Sequence, residues 1–232
     1  MRRLSSEDKR DGDVSKSFEL VNGRTPRGLL PARCYHLVDA ANLESIRRDG
    51  LLSASRLLER AGLDARALKR SVHEQRHARI CLPDGAILRD QLPMPRAALA
   101  RCLVDGLAPG DWYALLNSMV FFWLDAERLH RQARAARAWP QLIFEINTAA
   151  LLTRYESRAY VTPFNTGNAR RRPARRGRAT FVPYSTWMNT GWAHESTNLG
   201  VPLRSASYAP VELTVSDSVP DIMKYVLNVR PA

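Results

Sequence analysis

The chain carries its apolar residues in short runs, and Met119–Leu124 (MVFFWL) is among the longest that no polar residue interrupts. A membrane-spanning helix needs roughly 18 or more apolar residues in succession, so no such span is expected. A short run that is rich in aromatic side chains and bounded by polar residues is typical of a strand buried on both faces. We therefore expect Val120–Leu124 to be a central strand of a sheet inside a globular core.

Other short segments have the composition of further strands. Pro210–Val215 (PVELTV) alternates between apolar and polar residues, which is typical of a half-buried strand. The predicted strands are Arg33–Val38, Ala86–Leu88, Val120–Leu124, Gln141–Ile146, Ala159–Val161, Pro210–Val215 and Lys224–Val229.

Helices are predicted where capping residues precede helix-forming segments. Asp39 precedes a predicted helix over Ala40–Arg48, and Gly50 follows it at the position where a left-handed residue often ends a helix. The other predicted helices are Ser53–Ala61, Asp64–Ala78, Arg96–Leu103, a short helix that Asp111 caps and that ends near Asn117, Ala126–Ala138, and a helix that Thr148 caps. Hydrophobic residues make up 45% of the chain, which is enough for a core. Short helices and strands without an internal repeat indicate one α+β domain at residues 31–232.

Two segments lack a periodic spacing of apolar residues. Residues 1–30 are polar and contain several Gly and Pro residues, so we expect a mobile N-terminal arm. Residues 162–209 have Gly or Pro throughout, from Pro163 to Pro202, and are predicted to form a long irregular loop. A loop of this length in a compact domain is usually functional or disordered.

The chain is strongly basic, with 35 Lys and Arg residues against 23 Asp and Glu residues and a formal net charge of +12. Half of this excess lies in the predicted loop, at Arg170, Arg171, Arg172, Arg175, Arg176 and Arg178. Basic clusters favour polyanionic partners, because phosphate contacts release condensed counterions. These arginines are candidate nucleic-acid-binding residues, and the candidate base-stacking partners are Phe164, Phe181, Tyr184, Trp187 and Trp192. The alternative is a solvated basic loop with no ligand.

Cysteine usage and motifs exclude several function classes. Cys34, Cys81 and Cys102 have no metal-binding spacing and cannot all pair, so a reduced cytoplasmic protein is expected. The first residues lack the apolar core of a secretory signal. His73 and His77 are four residues apart but have no third ligand nearby, so no metal is expected. The chain contains no GxGxxG, P-loop or GxSxG motif.

Several single residues stand at positions where site residues are common. His36 lies on the first predicted strand, Arg89 follows a short strand, and Glu212 lies on an apolar strand near the C-terminus. Each has a structural explanation when taken alone. His36 fits a core histidine, the block Phe121–Trp123 fits core packing, and Glu212 fits the solvent-facing member of a half-buried strand.

The order of these pieces resembles the ADP-ribosyltransferase superfamily. The resemblance lies in four segments: YHLVDAANLESIRRDGLLS, LRDQ, LNSMVFFWLDAERL and PVELTVSDSVPDI. They fall within 33–60, 86–91, 117–129 and 207–229, and they are most similar to DarT-type enzymes that modify DNA or RNA and to neighbouring bacterial families. The block FFWLD departs from the aromatic-Arg pattern of DarT-type enzymes, and residues 162–209 have no counterpart. The resemblance implies split mixed or antiparallel sheets with flanking helices.

The resemblance also implies NAD as the substrate and assigns three catalytic residues. Glu212 would stabilise the oxocarbenium-like state that forms when the nicotinamide–ribose bond breaks. His36 would hydrogen-bond the ribose on the nicotinamide side. Arg89 would bind the diphosphate or orient the acceptor.

The remaining implied residues would bind NAD. The backbone beside His36, at Tyr35 and Leu37, would hold the carboxamide. Phe122 or Trp123 would stack on the cationic nicotinamide ring. Asn42 and Asn117 are further candidates.

The resemblance implies a nucleic-acid base as the acceptor and a toxin or defence role, with an antitoxin or hydrolase as a partner. Three alternatives stay open at this point. The same fold could modify protein, it could act as an RNA 2′-phosphotransferase, or the chain could bind nucleic acid without catalysis.

Overall fold

The computed structural model of the chain describes residues 30–136, 138–170 and 173–232. The predicted N-terminal arm, apart from Leu30, lies outside the described residues. So do Arg171 and Arg172 of the predicted basic loop.

Eleven strands are formed by the described residues. Seven of them agree with the seven predicted strands to within two residues, and the other four, each two residues long, were not predicted. The eleven strands are β1 (Arg33–Asp39), β2 (Leu51–Leu52), β3 (Ile80–Cys81), β4 (Ile87–Leu88), β5 (Met119–Trp123), β6 (Gln141–Asn147), β7 (Ala159–Thr162), β8 (Val182–Pro183), β9 (Glu212–Ser216), β10 (Ser218–Val219) and β11 (Val226–Pro231). Seven of them build one antiparallel sheet in the order β11-β6-β1-β5-β9-β7-β8.

Nine α-helices of the described residues flank this sheet. They are α1 (Leu43–Asp49), α2 (Ala54–Arg60), α3 (Ala65–His73), α4 (Arg96–Ala100), α5 (Pro109–Asn117), α6 (Ala126–Ala135), α7 (Thr148–Tyr155), α8 (Tyr184–Thr190) and α9 (Ala193–Leu199). A large antiparallel sheet with flanking helices agrees with the predicted α+β class.

Side-chain caps explain where several helices begin. Ser53 Oγ accepts from Arg56 N at 3.3 Å, and Asp64 Oδ1 accepts from Ala67 N at 2.8 Å, so α2 and α3 begin just after the predicted caps. The predicted cap at Thr148 is wrong by one residue, because the preceding Asn147 accepts from Ala150 N at 3.0 Å.

The helix predicted to run to Ala78 is shorter in the structure. It ends at His73 because the following segment pairs with another part of the chain. Arg76 N donates to Gln91 Oε1 at 3.0 Å, and Gln91 N donates to Arg76 O at 2.8 Å. Backbone groups that bond to residues 89–91 are not available to continue a helix.

The apolar run MVFFWL forms β5 at the centre of the sheet, as predicted. β5 pairs with β9 along its whole length, from Met119 opposite Ser216 to Trp123 opposite Glu212. Phe122 is fully buried and packs in the main core with Phe144 of β6 and Leu213 of β9. Burial of these side chains stabilises the sheet.

The sheet is open between β1 and β5. β1 pairs with β6 at every one of its residues, but it pairs with β5 only where Tyr35 lies opposite Trp123. Beyond that pair the two strands separate. We call this opening the β1–β5 seam.

The prediction of one irregular loop over 162–209 is wrong for part of that range. Residues 182–199 contain β8, α8 and α9. Trp187 and Trp192 are buried, their ring centroids lie 6.1 Å apart, and Trp192 Nε1 donates to Tyr208 O at 2.8 Å. Phe181 is also buried, so these three rings pack the fold and are not accessible for stacking on bases. The sequence shows no helical spacing of apolar residues here because α8 and α9 are short and are stabilised by tertiary contacts.

Across the described residues, no helix has the length and apolar character that crossing a bilayer requires.

Gly50, between α1 and β2, lies close to the backbone of Pro220. Its φ is +78°, and an added Cβ would lie 2.3 Å from the Cα of Pro220. Gly62 has a similar φ of +68° but has no atom within 4 Å of that position.

We expect Gly62→Ala to lower the free energy of unfolding by about 1 kcal/mol from backbone strain alone. Gly50→Ala should lower it by about 3 kcal/mol or more, because overlap adds to the strain. Urea titration of both variants measures the difference, and equal losses would contradict the close approach to Pro220.

Candidate functional site

A cavity of about 770 Å³ lies along the β1–β5 seam. Its lining includes residues of β1, α1, α2, β5 and α6, together with Arg76, residues 87–94, the end of α5, residues 165–168 and the first residue of β9. The sequence-predicted residues that line it are His36, Leu37, Asn42, Arg89, Asn117, Phe122, Trp123 and Glu212. Tyr35 is not among the described residues that line the cavity, and it packs instead with Leu37, Leu129 and Ile143.

The opening of the sheet brings together side chains that a closed sheet would separate. Trp123 and Glu212 are register partners, so their side chains project from the same face, whereas His36 follows Tyr35 and projects from the other face. Because the strands separate at the seam, side chains from both faces border one space.

Glu212 is the buried acid of this cavity, with 4% of its surface exposed. Its Oε2 accepts three hydrogen bonds: from Thr162 Oγ1 at 2.9 Å, from Thr166 Oγ1 at 2.8 Å and from Thr166 N at 3.2 Å. Burial outweighs these bonds and raises the pKa of the Glu212 carboxyl from 4.5 to about 7. Its other oxygen, Oε1, accepts no hydrogen bond from the described residues. The carboxyl group therefore has one fixed oxygen and one that a ligand can use.

The sequence-based interpretation of Glu212 as a solvent-facing strand residue is wrong. Alternation correctly predicted that Glu212 and Leu213 face opposite sides of β9. It did not predict that residues 163–168 cover the polar side of the strand and exclude water from Glu212.

Arg176 holds this covering loop. Its Nη1 donates to Thr166 O at 3.2 Å and to Asn168 O at 3.0 Å, and its Nε donates to Ala174 O at 3.1 Å. The guanidinium carbon also lies 4.9 Å from the ring centroid of Phe164. Only 1% of Arg176 is exposed, so its predicted role as a surface contact for nucleic acid is wrong. It positions the loop whose Thr166 binds Glu212.

A second arginine, which sequence reasoning missed, contacts the same loop. Arg204 makes a bidentate ion pair with Glu195, at 2.7 and 2.9 Å, and its guanidinium lies 6.0 Å from the Phe164 ring. Glu195 is fully buried on α9. No local sequence signal connects Arg204 with Glu195 and Phe164, because the three residues lie in separate segments of the predicted irregular region.

His36 crosses the seam with its side chain. Its Nδ1 lies 2.7 Å from the backbone oxygen of Phe121. A carbonyl oxygen only accepts, so Nδ1 carries the proton. Burial, together with the charge of Arg89, lowers the pKa of the imidazole below 6.5, which favours the neutral ring. The neutral tautomer leaves Nε2 as an acceptor for a ligand hydroxyl or amide.

The two predicted stacking residues differ in their surroundings. Phe122 is completely buried and packs on the His36 ring at a centroid distance of 5.7 Å. Trp123 is half-buried, and its Nε1 donates to Gln132 Oε1 of α6 at 2.7 Å, which fixes the ring. Trp123 is therefore the better candidate for stacking against a flat ligand.

Two arginines line the cavity without a carboxylate within salt-bridge distance among the described residues. They are Arg89, which the sequence predicted, and Arg76, which it did not. Burial lowers the pKa of both guanidinium groups, that of Arg76 to about 10. Arg76 donates to Arg89 O at 3.0 Å and to Asn117 Oδ1 at 2.9 Å. Partly buried cations that form no salt bridge with the described residues are suited to a phosphate-bearing ligand.

Asn42 and Asn117 line the cavity, but their amide groups are already used within the protein. Asn42 exchanges two hydrogen bonds with the backbone of Ile87, at 2.9 and 2.8 Å. Asn117 is almost fully buried, donates to Val72 O at 2.8 Å and accepts from Arg76 and Gln91. These contacts indicate that both residues support the cavity wall, and their role as NAD contacts stays a prediction.

The arginines of the predicted basic loop are divided by the structure. Arg170, Arg175 and Arg178 are exposed and form no salt bridge with the described residues, whereas Arg176 is buried. Arg178 borders a smaller cavity with Asp105 and His194, away from Glu212.

The fold and the site define an α+β protein with a ligand-sized cavity where an antiparallel sheet opens. The chain belongs to DUF7002, a family of unknown function whose model matches residues 32–226. That range contains His36, Arg89 and Glu212, so the cavity lies in the part of the chain that the family model covers. Neither the curated proteins nor the solved structures yield a significant match to this chain.

The raised pKa of Glu212 predicts how pH changes stability. Below about pH 4.5 the carboxyl is protonated in both the folded and the unfolded chain, and above about pH 7 it is ionised in both. Between these values only the folded chain keeps the proton, so the free energy of unfolding falls as pH rises, by up to about 3 kcal/mol. Glu212→Gln removes this term, and its amide oxygen can still accept from Thr162 and Thr166.

We therefore expect Glu212→Gln to gain stability relative to the wild type between pH 5 and pH 8. Urea titrations of both proteins across this range measure the difference, and other titrating groups cancel in the comparison. A constant difference across the range would contradict the burial of an ionisable Glu212.

The buried position of Arg176 predicts a large effect for a conservative change. Arg176→Lys keeps the charge but cannot donate to Thr166, Asn168 and Ala174 from one rigid group. We expect it to lower the free energy of unfolding by about 2 kcal/mol or more, whereas Arg175→Lys, at an exposed neighbour, should change it by less than about 0.5 kcal/mol. Equal effects in thermal or urea unfolding would contradict the role of Arg176 in holding the loop.

Proposed function

We propose that this protein is an NAD-dependent ADP-ribosyltransferase whose active site is the cavity along the β1–β5 seam. The observation that carries the proposal is that Glu212, His36, Trp123 and Arg89 line a single cavity. Its volume of about 770 Å³ lies within the range of about 300–1,000 Å³ that is usual for small-molecule sites.

The chemistry of ADP-ribose transfer suits the buried carboxyl of Glu212. The bond between ribose C1′ and the nicotinamide nitrogen breaks, its electron pair leaves with nicotinamide, and C1′ then bonds to the acceptor atom. Positive charge develops on the ribose during this step. Ionised Glu212 would stabilise that charge in a site of low dielectric. Its Oε1 would accept a hydrogen bond from a ribose hydroxyl. A carboxylate whose pKa lies near 7 can also take the proton that the acceptor atom loses.

The other cavity residues would bind different parts of NAD. The Nε2 atom of His36 would accept from a hydroxyl of the same ribose. Trp123 would stack on the nicotinamide ring, since an aromatic face attracts a flat cation. Arg76 and Arg89, which lack carboxylate partners among the described residues, would bind the diphosphate.

We propose nucleic acid as the acceptor. The net charge of +12 and the exposed Arg170, Arg175 and Arg178 support a polyanionic partner. A protein that only binds nucleic acid would have no use for a buried carboxyl such as Glu212, whose Oε1 accepts no hydrogen bond from the described residues, because an ionised acid repels phosphates. Modification of protein instead of nucleic acid is distinguished by mass spectrometry of both kinds of target after incubation with NAD.

Nicotinamide release from NAD tests the activity. Glu212→Gln should lower kcat by about 100-fold or more, because stabilisation of the developing charge is lost. In the wild type, the rate should rise with pH through about 7 as Glu212 ionises. Glu145→Gln is the matched control, because Glu145 is a buried acid of β6 that does not line the cavity. Nicotinamide release at the wild-type rate in a folded Glu212→Gln variant would overturn the proposal.

A further inference from the structure

Helix α3 carries four basic side chains on one face. Arg66, Lys69, Arg70 and His73 follow the i, i+3, i+4, i+7 spacing that places residues on one side of a helix, and all four are exposed. The opposite side of α3 is apolar. Leu68 and Val72 pack there against a small core that includes Leu58 of α2.

The arginines of α3 differ from those of the neighbouring helices. Every arginine of α1 and α2 forms an ion pair: Arg47 with Glu44, Arg48 with Asp49, Arg56 with Glu59 and Asp217, and Arg60 with Asp49 and Asp84. Arg66, Lys69 and Arg70 form no salt bridge with any described residue. Among the described residues, the arginines of α1 and α2 are therefore paired with carboxylates, whereas Arg66, Lys69 and Arg70 of α3 are not.

Contacts between α3 and the rest of the fold place its C-terminal end beside the candidate site. α3 packs on α5, whose last residue is Asn117. Three residues after His73, Arg76 enters the cavity lining and donates to Asn117 Oδ1 at 2.9 Å. A nucleic-acid strand that lies along the basic face of α3 would thus end near Arg76, a residue of the cavity lining.

We propose that the basic face of α3 binds the sugar-phosphate backbone of the nucleic-acid acceptor and directs the strand toward the cavity. The face from Arg66 to His73 is roughly 10 Å long, and each of its three permanent cations, Arg66, Lys69 and Arg70, can contact a phosphate. Cations without carboxylate partners favour this occupant, because each phosphate contact releases a counterion and breaks no existing ion pair. The proposal rests on nucleic acid being the acceptor.

Three triple variants, each lowering the net charge by the same amount, test the proposal. The first is Arg66→Gln, Lys69→Gln, Arg70→Gln on α3. The second is the control Arg47→Gln, Arg48→Gln, Arg56→Gln, which removes ion-paired arginines from α1 and α2. The third is Arg170→Gln, Arg175→Gln, Arg178→Gln in the predicted basic loop.

Binding of a fluorescein-labelled single-stranded DNA, and of an RNA of the same sequence, is followed by anisotropy over a range of salt concentrations. We expect the α3 variant to bind about tenfold or more weakly than the wild type and to lose about 2 from the slope of log K against log salt. The control variant should keep most of the affinity. Nicotinamide release without nucleic acid should be unchanged in the α3 and control variants.

Each other result has a defined consequence. A loss in the α3 variant supports the proposal whether or not the loop variant also loses affinity. Equal losses in the α3 and control variants would show that only net charge matters and would overturn it, as would a loss confined to the loop variant. If the wild type binds neither oligonucleotide, the α3 proposal fails, and nicotinamide release then decides separately whether the proposed enzymatic activity stands.

Discussion

The opening between β1 and β5 is the feature on which the candidate site depends. An antiparallel pair normally satisfies its backbone groups along the whole ladder. Here the ladder stops after Tyr35 and Trp123, and the His36 imidazole donates to the oxygen of Phe121 across the gap. A side chain thus replaces a backbone donor, so the sheet can part without leaving this carbonyl unpaired. The space that results is the cavity.

The second constraint is the burial of Glu212 at the edge of that space. Desolvation of a carboxylate is unfavourable, and its raised pKa expresses that cost. Hydroxyl and amide donors from Thr162 and Thr166 reduce it, and Arg176 in turn keeps Thr166 in place through its carbonyl oxygen. A carboxyl group that served stability alone would be better replaced by an apolar side chain. A carboxyl group in a covered pocket, with one oxygen that accepts no hydrogen bond from the described residues, is typical of a functional group.

The local pattern of apolar, polar and capping residues predicted most of the helices and strands. The predicted strand ends differ from the structure by no more than two residues, and some helix ends differ by more. The apolar run of β5, the alternation in β9 and the caps at Ser53 and Asp64 are short-range signals, and the structure agrees with them. The region 162–209 shows the limit of such signals. Helices α8 and α9 are seven residues each, too short to be stable alone, and buried aromatic contacts hold them. For the same reason the sequence placed Trp187 and Trp192 on a loop surface, although both are in the core.

The sequence by itself determined the class of the fold, the central position of β5 and the residue types available for the site. It determined them because side-chain periodicity and capping act over a few neighbouring residues. Only the tertiary structure decided which polar residues face the cavity and which support its wall. Arg176 resembles its arginine neighbours in sequence but is buried against Thr166 and Phe164, and Asn117 is bound by Arg76 from the segment that follows α3. These assignments depend on contacts between residues far apart in the chain, and no local pattern encodes the burial that separates a surface arginine from a structural one.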